Sequence, residues 1–312
     1  DTADATITIG DVNEAPVVED QAFTVPENAA NGTVVGAMLA GDPDDGDTRT
    51  YSITGGNTNG AFAINSATGQ ISVANSAALD HETTPSYVLT IQVEDAGGLS
   101  DTADATITIG DVNEAPVVED QAFTVPENAA NGTVVGAMLA SDPDDGDTRT
   151  YSITGGNTDG AFAIDSATGE ISVANATALD HESTPSYVLT IQVEDAGGLT
   201  DTADATITIG DVNEAPVVED QAFTVPENAA NGTVVGAMLA GDPDDGDTRT
   251  YSITGGNTNG AFAINSATGQ ISVANSAALD HETTPSYVLT IQVEDAGGLS
   301  DTADATITIG DV

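Results

Sequence analysis

The sequence predicts an all-β protein made of tandem seven-stranded sandwiches. The first support is a repeat of 100 residues: 13–112 and 213–312 are identical, and 113–212 differs from them at eight positions. The second is a short-range alternation of apolar and polar residues within each copy, the period-two mark of half-buried strands. The third is that no stretch carries the apolar spacing of an amphipathic helix. A unit of 100 residues is far longer than the repeat of a solenoid, so each copy is expected to enclose its own core. The expected domains are 13–112, 113–212 and 213–312. Residues 1–12 duplicate 101–112 and are expected to be the terminal strand of a preceding copy. The chain starts with Asp1 and is read as a piece of a longer array.

In the first copy, residues 21–25 form strand A. It closes at Pro26-Glu27-Asn28, because proline has no N–H to give a ladder. Residues 33–40 are strand B, and Asp42-Pro43-Asp44-Asp45-Gly46-Asp47 is a loop of turn-forming residues. Residues 50–54 are strand C, with Tyr51 and Ile53 on one face. Gly55-Gly56-Asn57 breaks the chain before strand D at 61–64, and a turn leads to strand E at 70–73. Residues 86–94 are strand F, in which Tyr87, Leu89, Ile91 and Val93 alternate with Val88, Thr90, Gln92 and Glu94. Residues 102–109 are strand G, with Ala105, Ile107 and Ile109 facing in. Seven short strands in one copy are the pattern of a β-sandwich. Phe23, Tyr51, Phe62 and Tyr87 are the expected large members of its core.

Charge sets the functional classes. There are 51 acidic residues against 3 arginines and 3 histidines, with no lysine, giving a net charge of −48. Nucleic acid and anionic membrane surfaces are excluded as partners. A hydrophobic content of 39% in alternating runs excludes disorder. There is no cysteine, hence no disulfide, a habit expected of bacterial surface proteins more than of secreted animal domains. No run reaches the roughly 18 apolar residues of a membrane span. No helical HExxH, nucleophile elbow or phosphate-binding glycine loop is present, so no enzyme is expected. His81, between Asp80 and Glu82, is read as a solvated loop residue. Asn31-Gly32-Thr33 and Asn175-Ala176-Thr177 fit the N-glycosylation pattern.

The placement of the acids follows from the strand count. If the chain reverses at each of seven strands, its ends lie at opposite ends of the copy. Strand A leaves Glu27 at the far end, where the loop carrying Asp80 and Glu82 also lies. The Asp42–Asp47 loop and Asp95 lie at the near end, and strand G delivers Asp111, Asn113 and Glu114 to the joint. The first joint then combines Glu27, Asp80 and Glu82 with Asp142, Asp144 and Asp195 around Asp111, Asn113 and Glu114. The second combines Glu127, Asp180 and Glu182 with Asp242, Asp244 and Asp295 around Asp211, Asn213 and Glu214. Incomplete sites remain at Asp11, Asn13, Glu14, Asp42, Asp44 and Asp95, and at Glu227, Asp280, Glu282 and Asp311. Carboxylates about 5 Å apart repel by about 3 kcal/mol per pair at an effective dielectric near 20. Lysine and arginine cannot neutralise them here, so a dissolved cation must. Oxygen donors without sulfur or imidazole favour a hard ion, and many ligands on loops favour Ca²⁺ over Mg²⁺.

Pro26-Glu27-Asn28, Asp42-Pro43-Asp44, Leu79-Asp80-His81-Glu82, Asp95 before its glycines, and Asp111-Val112-Asn113-Glu114-Ala115-Pro116 together resemble the calcium motifs of cadherin repeats. Phe62-Ala63-Ile64, Thr68-Gly69-Gln70-Ile71 and Tyr87-Val88-Leu89-Thr90 resemble that family's strand signatures in the same order. The resemblance covers the chain three times. It implies Greek-key sandwiches joined end to end in an elongated rod, with about three Ca²⁺ per joint. Glu27, Asp80, Glu82, Asp111 and Glu114 would hold a pair of ions, bridged by Asp144. Asn113, Asp142, Asp144 and Asp195 would hold the third, and the carbonyls of Val112 and Ala115 would complete the shells. Glu114 stands where the family usually has aspartate. The lack of tryptophan argues against vertebrate strand exchange and points towards cadherin-like repeats of large bacterial surface proteins. The expected role is an extracellular, calcium-stiffened stalk or adhesin segment. Its expected partners are Ca²⁺ and neighbouring repeats. The alternatives are an array binding carbohydrate or like repeats by avidity, and a filament subunit joined by strand donation.

Overall fold

The computed structural model describes residues 2–244 and 246–312. Asp1, the first residue of the expected 1–12 strand, and Asp245, in the third copy of the acidic loop, lie outside them. The chain divides into two compact units. The first holds Asp1–Val118 with Ala140–Thr150 and Val193–Asp201; the second holds Glu119–Leu139, Tyr151–Gln192 and Thr202–Val312.

In the first unit, strands run in the order β1 (Val17–Val18), β2 (Gln21–Pro26), β3 (Val34–Ala37), β4 (Ala40–Gly41), β5 (Thr50–Gly55), β6 (Phe62–Ile64), β7 (Gln70–Val73), β8 (Ser86–Glu94) and β9 (Ser100–Gly110). One sheet has the order β2-β9-β8-β5 and the other β3-β7-β6, while β1 pairs with β4. Strand β2 runs parallel to β9, from Gln21 opposite Ala105 to Pro26 opposite Gly110. Pairing in the other ladders is antiparallel. The inward residues of both sheets meet in one core that includes Ile71, Val73, Leu89, Ile91, Ile107 and Ile109. Tyr51, Phe62 and Tyr87 are buried in it and Phe23 packs half-buried at its edge. Phe62 meets Tyr87 edge-on at 5.2 Å between ring centres, a pairing worth about 1 kcal/mol beyond area burial. The Tyr87 hydroxyl donates to the Ala78 carbonyl, which fixes a 3₁₀ turn, Ser76–Ala78, just ahead of Leu79-Asp80.

The second unit contains the same two sheets in the third copy. From the middle copy it contains the parallel pairing of Gln121–Pro126 with 205–210 and the three-stranded sheet of Val134–Ala137, Phe162–Ile164 and Glu170–Val173.

Strand B departs from its expected form. Residues 33–40 do not make one strand: a bulge between Val34 and Gly36 shifts the register, and the ladder stops at Ala37. A Cβ on Gly36 would sit 2.3 Å from the Phe23 ring, so the aromatic ring of β2 sets the bulge. Leu39 then points to solvent while its N–H and carbonyl are taken by the Gln21 side chain. Residues 2–16 form no strand. Ile7 and Ile9 are 86% and 91% exposed, whereas Ile107 and Ile109, in the same local sequence, are fully buried.

Candidate metal centre

The far end of the first copy is organised by Glu27. Its N–H donates to the Gly110 carbonyl at 3.0 Å, extending the β2–β9 ladder by one rung. The side chain is 6% exposed. Oε1 accepts from the Val112 N–H and Oε2 from the His81 N–H, both at 2.7 Å. One carboxylate therefore ties the end of β2 to the 80–82 loop and to the start of the linker. Such charge-assisted bonds are worth about 1.5–3 kcal/mol each. Asp80 caps its own turn, accepting the Thr83 N–H at 2.8 Å. Glu27, Glu82 and Glu114 bring carboxylate oxygens within 4.8 Å of one another, and so do His81, Glu82 and Asp111 with their ligand atoms.

The other side of the linker is built from the loops at 142–147 and 195–199. The Glu114 N–H donates to Asp144 Oδ2 at 2.8 Å, and the Asp144 N–H to Asp142 Oδ1 at 3.1 Å. Asn113 Nδ2 donates to Asp195 Oδ2 at 2.8 Å, and Asp195 Oδ1 accepts the Leu199 N–H at 2.8 Å. A Cβ on Gly197 would lie 2.3 Å from Asn113 Oδ1, so only glycine leaves room for this asparagine. The second unit repeats the arrangement. Glu127 accepts from Val212 and His181 at 2.7 Å, and Asp180 from Ser183 at 2.8 Å. Asp244 accepts from Glu214 at 2.8 Å, and Asp295 from Asn213 at 2.9 Å.

The cluster is electrostatically unsatisfied. Burial, followed by repulsion from Glu27, Glu82, Asp144 and Asp80, raises the Glu114 pKa above the usual carboxylate value. Burial, followed by Asp144, Asp147 and Asp195, does the same to Asp142 despite the hydrogen bond from Asp144. Glu214 and Asp242 are raised in the same way, burial again coming first. Burial pushes Asp195 up too, but the Asn113 amide and the N–H groups of Leu199, Gly198 and Gly197 outweigh it and hold it low. The Oε2 atoms of Glu114 and Glu214 and the Oδ2 atoms of Asp142 and Asp242 are buried without a hydrogen-bond partner among the described residues. An orphaned buried carboxylate oxygen costs a few kcal/mol unless something neutralises it. The donors are oxygens carried on loops, and they fit a hard divalent cation.

The family is fixed by comparison with known proteins. The model of the cadherin domain matches residues 21–110, 121–210 and 221–310. This chain is a cadherin. Protein dachsous of Drosophila melanogaster is 34% identical over 314 residues, covering 93% of the chain and 9% of that protein. Protocadherin Fat 4 of Mus musculus is 37% identical over 329 residues, covering 98% of the chain and 6% of that protein. The chain thus spans under a tenth of these relatives. Among solved structures, Protocadherin Gamma B2 extracellular cadherin domains 3–6 superpose with a TM-score of 0.74 at 26% identity, over 95% of this chain and 73% of that one. Mouse Cadherin-23 EC22–24 gives 0.73 at 26%, over 96% and 100%. The segment is of the extracellular cadherin kind, an adhesion-domain family rather than an enzyme family, and cadherin domains bind Ca²⁺ at their linkers. No helix among the described residues is long and apolar enough to cross a membrane. The relatives named here are animal proteins, so they lend no support to a bacterial source, and nothing in the comparisons supports carbohydrate binding or filament assembly.

Against this cadherin background, the structure gathers residues expected at the first joint in two groups that share Glu82, one with Glu27 and Glu114 and the other with Asp111, and Asp80 and Asp144 lie near enough to Glu114 to repel its charge. Asn113, Asp142 and Asp195 gather beside Asp144. Asp11, Glu14 and Asp44 also converge, as do Asn13 and Asp95. At the other end, Glu227 still accepts from His281 and Val312, the latter at 3.3 Å. Two participants were missed. Asp47 joins Asp42 and Asp95 within 4.8 Å; its place at the end of the acidic loop was the available signal. His81 is half-buried rather than solvated, with Nδ1 2.8 Å from the Ile109 carbonyl. That hydrogen bond raises its pKa, and after an opposing effect of burial, Asp111, Glu82 and Glu27 raise it further.

A pH prediction follows, with opposite signs. A carboxyl whose folded pKa is raised adds stability when protonated and loses it as pH rises through that pKa. Metal-free cadherin joints are therefore expected to gain stability on mild acidification, just above the ordinary carboxylate range, as Glu114 and Asp142 protonate. Asp195, held low, loses its contribution only in stronger acid. With Ca²⁺ present, protons and metal compete, and stability should fall on the same acidification. Thermal melts against pH in EDTA and in Ca²⁺ check this; slopes of one sign in both would refute it.

Proposed function

We propose that the chain is a calcium-stiffened spacer in the ectodomain of an extracellular adhesion protein. The observation that carries this reading is the set of orphaned buried carboxylate oxygens on both sides of each linker, at Glu114 with Asp142 and at Glu214 with Asp242. About three ions per joint would supply positive charge there. Glu27, Asp80, Glu82, Asp111 and Glu114, bridged by Asp144, are proposed to hold two, and Asn113, Asp142, Asp144 and Asp195 the third. Glu127, Asp180, Glu182, Asp211 and Glu214 with Asn213, Asp242, Asp244 and Asp295 repeat the set. The proposed repeats run 13–112, 113–212 and 213–312, each a rigid body, with the linker the only place where bending is cheap. Near-identical copies suit reach better than selective recognition, and other cadherin repeats are the proposed partners.

Small-angle scattering through a Ca²⁺ titration tests this, with a Glu114→Ala, Glu214→Ala double variant alongside. The wild type is expected to lengthen and lose flexibility as Ca²⁺ is added, and the variant is not. A wild-type shape indifferent to Ca²⁺, with the repeats still folded, would overturn the reading.

A further inference from the structure

We propose that Asn59 and Asn259 are sites of spontaneous deamidation, and that the fold shields the remaining Asn-Gly pairs of the chain. Those others are Asn31-Gly32, Asn131-Gly132 and Asn231-Gly232. In an Asn-Gly pair the glycine backbone nitrogen attacks the asparagine Cγ, and no side chain on the glycine obstructs it. The Cγ–Nδ2 bond breaks, and ammonia leaves with the proton of the glycine N–H. Water then adds to one carbonyl of the resulting cyclic imide and breaks its bond to nitrogen. The product is aspartate, or isoaspartate when the other carbonyl is attacked. The step needs a free side chain and a glycine nitrogen that can be released.

The two kinds of pair differ in both respects. Asn31 Oδ1 accepts the Ser76 N–H at 2.6 Å, and the Gly32 N–H donates to the Val73 carbonyl at 2.7 Å. Asn131 and Asn231 are held at the same distances by Ala176 and Ser276. Asn59, in contrast, sits in the exposed turn Thr58–Gly60, and its side-chain amide has no hydrogen-bond partner among the described residues. The Gly60 N–H makes only a 3.2 Å bond to the Asn57 carbonyl, and the space beside Gly60 is open. Asn59 is also left-handed, with φ at 57°, which costs on the order of 1 kcal/mol. Freeing the Gly60 nitrogen itself breaks one long bond and eases the strained residue, while the turn keeps the Ala61 N–H on the Thr58 carbonyl at 3.3 Å and Asn75 Nδ2 on the Asn59 carbonyl. Asn259 repeats the arrangement, with φ at 58° and a 3.1 Å bond from Gly260.

The middle copy shows that the aspartate product fits. Asp159 stands at the equivalent position with φ at 55°, and its carbonyl accepts Asn175 Nδ2 at 3.1 Å, as the Asn59 carbonyl accepts Asn75 Nδ2. Deamidation would bring the outer copies to the charge the middle copy already carries at this turn. Isoaspartate would lengthen the backbone and could not keep the turn.

The test is to incubate the full chain with Ca²⁺ at mildly alkaline pH and follow each Asn-Gly peptide by mass, in native buffer and in denaturant. Asn59 and Asn259 lie in identical peptides and are read together; an Asn59→Asp variant removes half of that signal. In the native chain this site is expected to react at least about tenfold faster than Asn31, Asn131 and Asn231, with the gap closing in denaturant. Equal native rates, a faster reaction at Asn31, or an inert Asn59 would overturn the proposal.

Discussion

Glu127→Gln is expected to weaken Ca²⁺ binding at the second joint by on the order of a hundredfold, while the first joint is unchanged. The substitution keeps the volume of the side chain and removes its charge. Oε1 and Oε2 now accept from Val212 and His181, both at 2.7 Å. A glutamine keeps one acceptor and presents an NH₂ to the other N–H, leaving a buried donor facing a donor at about 1–3 kcal/mol. The charge lost from the ion set adds to this, and about 2.8 kcal/mol in total is a hundredfold. Chelator-competition titration would show one class of sites weakened and the other intact. Uniform weakening of both joints, or none, would contradict the role given to this carboxylate.

Gly56→Ala is expected to destabilise the first repeat by on the order of 3–5 kcal/mol, among the largest effects a single methyl can have. The added Cβ would lie 1.8 Å from the Val88 carbonyl oxygen and 3.2 Å from Leu89 Cα. Both are backbone atoms of the central strand β8 and cannot move aside. The position also has φ at +75°, which an L side chain resists. Gly32→Ala is the control: φ is +88°, but nothing lies within 4 Å of its Cβ, so only the backbone strain of about 1–2 kcal/mol applies. Hydrogen exchange should report early opening of 50–94 in Gly56→Ala, with 150–194 and 250–294 unmoved. Matching exchange in the two variants would mean the contact with β8 is not what the glycine protects.

Much of this fold could be read from the residues because strand β8 announces itself. Tyr87, Leu89, Ile91 and Val93 are buried while Val88 is exposed, the alternation the sequence displays. Strand B could not be read so, since Gly36 bulges to clear the ring of Phe23, a residue of another strand. The pair Val17–Val18 was invisible because two residues carry no period; its partner at Ala40–Gly41 defines it. Residues 2–12 teach the same lesson, for a sequence that is a strand at 102–110 is none where no β2 or β8 flanks it. At the candidate metal centre the gathering of acids could be expected from their charge and the strand count. The part Glu27 plays in accepting from two backbone amides could not, because those amides come from the 80–82 loop and the linker.

The parallel pairing of β2 with β9 decides how a repeat meets tension. Gln21 opens the pair at one end and Gly110 closes it at the other. Pulling the two ends of a repeat apart drags these strands past each other in opposite directions. All rungs of the ladder are then loaded in shear together and must fail together, instead of peeling one at a time as in an end-loaded hairpin. A repeat loaded this way would hold until the whole β2–β9 ladder gives way at once.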